Sequence, residues 1–143
     1  MTIWKTNLDL PSLSRMHRGT AIDHLGIEFT DFGENWLEAR MPVDKRTIQP
    51  FGILHGGASV LLAESLGSAA SNFSIDNETH YAVGLDINAN HVRAVREGYV
   101  TGKATPIHLG RSTHVWQIMI YDSAQRLSCV ARLTMSILER NQA

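Results

Sequence analysis

Sixteen consecutive residues, Ala58 to Phe73, carry a single formal charge, Glu64, and they limit the possible folds more than any other segment. Apolar residues recur at positions 58, 62, 66, 69 and 73, the spacing of a helix face. At about 1.5 Å per residue this helix would run roughly 24 Å. So few charges mark a buried helix, and its small residues (Ala63, Gly67, Ala69, Ala70) imply that something packs close around it. The cover must come from strands. Downstream, Tyr81 to Val95, Tyr99 to Ile107, Ser112 to Tyr121 and Ser128 to Leu138 all read as strands. In the last, Cys129, Ala131, Leu133, Met135 and Ile137 alternate with Val130, Arg132, Thr134 and Ser136. Upstream, Ile27 to Thr30 and Trp36 to Val43 form a hairpin through Gly33-Glu34-Asn35. Leu10 to Arg18 and Thr20 to His24 read as short helices, with Thr20 as N-cap of the second. Two strands, one long helix and four strands joined mostly by short turns predict an α+β fold. In it, a curved antiparallel sheet of about six strands wraps one central helix. Such a sheet leaves free edges, and pairing one across a twofold axis predicts at least a dimer.

Composition narrows the class of function. The 143 residues, 43% hydrophobic and 19% charged, suit one globular domain over 1–143 with a full core. Thirteen Lys and Arg against fourteen Asp and Glu give a net charge of −1, which argues against nucleic acid or anionic lipid as a partner. The lone cysteine, Cys129, fits a reducing compartment. Residues Met1 to Asp9 show no leader pattern, and no apolar run reaches the roughly 18 residues of a membrane span, so a cytoplasmic location is expected.

Positions 47 to 75 hold no formal charge besides Glu64. With no Lys or Arg three or four residues away, a carboxylate in a buried helix should have a raised pKa, which suits a base or nucleophile. Ser68, one turn on, shares its face and offers a hydroxyl to a water or substrate oxygen. Just before the helix stands Gln49-Pro50-Phe51-Gly52-Ile53-Leu54-His55-Gly56-Gly57. Two glycines leading into a helix N-terminus allow close approach to unpaired N–H groups, the setting of an oxyanion hole, and His55 and Gln49 add side-chain hydrogen bonds at the same mouth. A carboxylate and an oxyanion hole together point to acyl transfer. His91, His108 and His114 lie on separate predicted strands without a close pair, so no metal site is expected. No serine sits in a Gly-x-Ser-x-Gly elbow, which disfavours a Ser-His-Asp triad. From Ile87 to Tyr121, Arg93, Arg96, Lys103 and Arg111 face Glu97 alone, and the turn His108 to Thr113 offers N–H groups, a hydroxyl and a guanidinium, which suits a phosphorylated small molecule.

The chain resembles the hotdog-fold acyl-CoA thioesterases, in the branch with the Arthrobacter-type 4-hydroxybenzoyl-CoA thioesterase and the menaquinone-pathway and enterobactin-proofreading enzymes. The likeness covers about Trp4 to Leu138. It is carried by His24-Leu25-Gly26-Ile27, Met41-Pro42-Val43-Asp44, Arg46-Thr47 with Gln49-Pro50-Phe51-Gly52, Leu54-His55-Gly56-Gly57-Ala58-Ser59, Ala63-Glu64-Ser65-Leu66-Gly67-Ser68, Asn88-Ala89-Asn90-His91 with Arg93, and Pro106 to Arg111. The resemblance implies a homotetramer, a dimer of dimers with sites between subunits, and hydrolysis of an aryl- or acyl-CoA thioester without a cofactor. It implies Glu64 as catalytic carboxylate from the neighbouring subunit, Gly56 as oxyanion N–H with His55 beside it, Gln49 as positioning amide and Ser68 as hydroxyl partner. It implies CoA contacts at Gly84, at His91, Val92, Arg93 and Ala94, and at His108, Leu109, Gly110, Arg111, Ser112 and Thr113. Relatives usually carry proline at the position of Ala94. Ser71, Phe73 and Ile75 are candidates to touch the acyl group and show no pattern that identifies it. An enoyl-CoA hydratase on the same scaffold would need an Asp and His pair that is absent here, and a non-catalytic CoA-ester-binding module would bind without releasing thiol.

Overall fold

The computed structural model describes residues 1–141. The charge-poor segment is a helix, Gly56–Phe73, the third of the chain (α3), 18 residues and about 27 Å long. It begins two residues earlier than periodicity predicts because His55 is its N-cap. The backbone of His55 is extended and its Nδ1 accepts a hydrogen bond from the Gly57 N–H at 2.8 Å, drawing both glycines into the first turn. Leu62, Ala63, Leu66 and Ala70 of α3 are buried against Trp116, Ile118, Leu133 and Met135 of the sheet. The contact is close enough that a methyl on Gly67 would overlap the Leu133 side chain, which is the use of the small residues.

Six strands, β1 (Glu28–Phe32), β2 (Leu37–Pro42), β3 (His80–His91), β4 (Tyr99–Leu109), β5 (Thr113–Tyr121) and β6 (Leu127–Glu139), form one antiparallel sheet in the order β1-β2-β4-β5-β6-β3. Two expectations need correction here. β3 ends at His91, not Val95, and it pairs with β6 rather than with its successor β4, so residues 92–98 cross over instead of turning tightly. The crossover is tied down where Val95, buried, accepts the Leu54 N–H at 2.7 Å. That bond holds the segment after β3 against the loop before α3. β3 is left as an edge strand with Val83 and Leu85 exposed.

The two short helices are α1 (Leu10–Met16), shorter than expected, and α2 (Ala21–His24). Thr20 is at the N-cap position of α2, but its hydroxyl donates to the His17 carbonyl at 2.6 Å and caps nothing. Asp9 caps α1 by accepting from the Ser12 N–H at 2.8 Å. Among the described residues no helix is long and apolar enough to cross a membrane.

Candidate active site

The loop before α3 folds on itself. Gln49 accepts the Gly52 N–H on its backbone carbonyl, and its side-chain Oε1 accepts the Phe51 N–H. The amide oxygen is therefore engaged and the NH₂ group is left to donate. His55 spends Nδ1 on Gly57, so its Nε2 carries the proton and points a second donor outward. The Gly56 N–H has no acceptor among the described residues. It lies at the positive end of α3. The His91 ring packs on Gly56 so tightly that a Cβ there would sit 2.9 Å from Nε2, which explains a glycine at this position. Gln49, Gly56, His91, Val92, Arg93 and Ala94 line one cavity of about 370 Å³.

Glu64 and Ser68 line a different cavity, of about 540 Å³, between α3 and the α1–α2 segment. Glu64 forms no ion pair among the described residues, as its sequence neighbours predict. It is not sunk in the core, however: within one chain it is half-buried. The reason is local. Glu64 lies under Gly84 of the edge strand, where a Cβ would come 2.5 Å from its Oε2, and the missing side chain leaves the carboxylate a window to the outside.

The third group stands apart. His108 and Leu109 end β4, Thr113 opens β5, and the hairpin between them closes with Gly110 N–H donating to Thr113 O at 2.8 Å. Leu109, Gly110 and Arg111 line a cavity of about 450 Å³ with Ile75, His80 and Lys5, at the opposite end of α3 from Gly56. Ser112 stands exposed in the same turn. One chain thus joins Gln49 and Gly56 to residues 91–94, and Gly84 to Glu64 and Ser68, but leaves residues 108–113 away from both. Of the three positions offered for acyl contact, only Phe73 lines the Glu64 cavity. Ser71 is buried, receiving the Trp116 Nε1–H at 2.6 Å and lying 3.0 Å from His114 Nδ1, and Ile75 faces the far cavity.

His114 is buried, and desolvation, aided by the nearby positive charge of His108 and Lys5, pushes its pKa down from 6.5 to about 4. It is a neutral core histidine. Among the described residues no three His, Cys, Asp or Glu side chains gather as metal ligands. Met16, His17 and Ile22 on the cavity wall escaped the sequence reading, since only folding sets them beside residues 60–73.

One long central helix wrapped by a six-stranded antiparallel sheet is the hotdog fold. Residues 51–129 match the thioesterase superfamily. Over 136 residues the chain is 53% identical to the 1,4-dihydroxy-2-naphthoyl-CoA hydrolase of Escherichia coli, covering 95% of this chain and 99% of that one. It is 48% identical to the proofreading thioesterase EntH of Cronobacter turicensis, covering 95% of this chain and 98% of that one. A mutant thioesterase from Pseudomonas aeruginosa superposes with a TM-score of 0.96 at 50% identity, over 97% of this chain and 100% of the other. The chain belongs to the thioesterase superfamily and is a hotdog-fold thioester hydrolase.

Proposed function

We propose that this thioesterase hydrolyses an aryl- or acyl-CoA thioester to the free acid and CoA, at sites shared between two copies of the chain. Supporting this above all is the Gly56 N–H, free at the mouth of α3 beside a donating Gln49 amide. These donors would hold the thioester carbonyl oxygen and stabilise the negative charge it gains on attack. Glu64 is eight residues further along the same helix, about 12 Å. That exceeds what a glutamate and one carbonyl can bridge, so the carboxylate must come from elsewhere.

A second copy supplies it economically. Antiparallel pairing of the two β3 edges about a twofold axis at Asn88, with the bulge between Gly84 and Asp86 taking up one residue, would set Gly84 of one copy opposite His91 of the other. Glu64 rests on Gly84 and His91 rests on Gly56, so the carboxylate of one chain would meet the oxyanion donor of its partner. The same register sets Val83 opposite Val92. Thr113, Ser136 and Val83 stand in one row across the sheet, so residues 108–113 of one chain would approach residues 91–94 of the other. Arg93 and Arg111 would then hold the phosphates of one CoA between them. We assign the whole chain, residues 1–143, to one such domain, assembled as a homotetramer, a dimer of dimers.

Glu64 acts either by attacking the carbonyl carbon, expelling the CoA thiolate and leaving an anhydride for water to open, or by taking a proton from the water that attacks. Ser68 would hold that water or the substrate oxygen, and His55 Nε2–H would add a donor at the mouth. Incubation with a panel of aromatic and aliphatic acyl-CoAs should release thiol. Glu64→Gln should lower kcat at least about a hundredfold while CoA-ester binding persists. Full activity in that variant would refute the assignment of Glu64, and binding without thiol release by the unaltered chain would refute hydrolysis.

A further inference from the structure

The cavity beside Glu64 is walled mainly by Met16, Ile22, Val60, Leu61 and Phe73, and most of its polar atoms are spent inside the chain. Ser65 Oγ donates to the Leu61 carbonyl at 2.6 Å. Asn72 donates to the carbonyls of Ser68 and Ala82 and accepts the Ala82 N–H. Glu64 and Ser68 are assigned above to the reacting carbonyl. His17 remains. Its Nδ1 lies 2.8 Å from the Leu13 carbonyl, and because a carbonyl only accepts, Nδ1 carries the proton and Nε2 of the neutral ring is a bare acceptor. The ring is also held in place. It sits at the C-cap of α1 and stacks on Phe29 with centroids 4.9 Å apart, tilted by 33°.

We infer that His17 is a specificity-determining residue, its Nε2 accepting a hydrogen bond from an O–H or N–H carried by the acyl group. The cavity then selects acyl groups with a donor distal to the thioester carbonyl. The inference rests on the hydrolase reading for the nature of the occupant. Chemically, an acyl group without a donor covers Nε2 and leaves it unpaired, whereas one with a donor satisfies it. One such neutral hydrogen bond corresponds to about tenfold in affinity. Aliphatic chains would fill the same apolar walls without this gain.

Benzoyl-CoA and its 2-, 3- and 4-hydroxy derivatives differ by a single donor and are the probes. For the unaltered chain, at least one hydroxybenzoyl-CoA should exceed benzoyl-CoA about tenfold in kcat/KM, with the difference residing in KM. His17→Phe keeps a ring against Phe29 and removes the acceptor. In the folded variant, verified by circular dichroism, the ratio should fall to about one. Binding of the same four esters to Glu64→Gln, measured by calorimetry, should rank them identically without turnover. No preference among the four in the unaltered chain overturns the role of His17, as does a folded His17→Phe that keeps the preference. Absent thiol release from the unaltered chain would instead strike at the hydrolase reading, and the calorimetric ranking would still decide on His17.

Discussion

Gly84 shows how one residue serves the site by lacking a side chain. Its position over Glu64 means that an added methyl group would lie 2.5 Å from Oε2, too close for the carboxylate to stay. Misplacing a reacting group by about 1 Å can cost on the order of a hundredfold in rate. Gly84→Ala is therefore expected to lower kcat by about ten- to a hundredfold while KM for CoA esters changes less, as steady-state kinetics would show. An unchanged kcat would mean that Glu64 need not hold this position. Glu64, Gly56, Gln49 and Ser68 could be proposed from the sequence as candidates, because a single charge in a buried helix and glycines at its start are anomalies against local rules. The contact between Gly84 and Glu64 could not, since twenty residues and a turn of chain direction separate them.

The tie between α3 and β5 is a polar one inside an apolar core. Trp116 Nε1–H donates to Ser71 Oγ, which lies 3.0 Å from Nδ1 of the buried His114 ring. Its pKa lies at about 4 in the fold against 6.5 for a free side chain. The unfolded chain therefore binds the proton more readily. Stability is complete above about pH 6.5 and falls as pH drops through 6.5 towards 4, by up to roughly 3 kcal/mol. Urea unfolding between pH 8 and pH 4 should show this decline, and His114→Gln should flatten it. A midpoint insensitive to pH over that window would argue against a neutral buried imidazole. Element positions followed from periodicity to within a few residues at most ends. The misplaced ones, the end of β3 and the start of α3, were set by contacts outside the local pattern: the pairing of β3 with β6 and the cap from His55.

At the scale of the whole molecule, the proposed site needs a partner, because Gly56 and Glu64 stand about 12 Å apart along one helix, and this can be read in solution. Glu64→Ala and Gln49→Ala should each be nearly inactive alone. After unfolding and refolding together in equal amounts, half the dimers would be mixed, and each mixed dimer would keep one intact site, restoring about a quarter of unaltered activity. No restoration, with mixed dimers shown by mass spectrometry, would place the whole site within one chain. The amino-acid order was sufficient for the helix, the strands and their antiparallel class, because hydrophobic spacing records which face of each element is buried. It also marked Glu64 and Gly56 as candidates, because charge and glycine stand out where they break that spacing. Only the tertiary structure decided that β3 lies at an edge, that the CoA-binding candidates fall at opposite ends of α3, and that His17 lines the cavity beside Glu64. Those facts depend on strand order and on contacts between distant segments, which local periodicity does not encode.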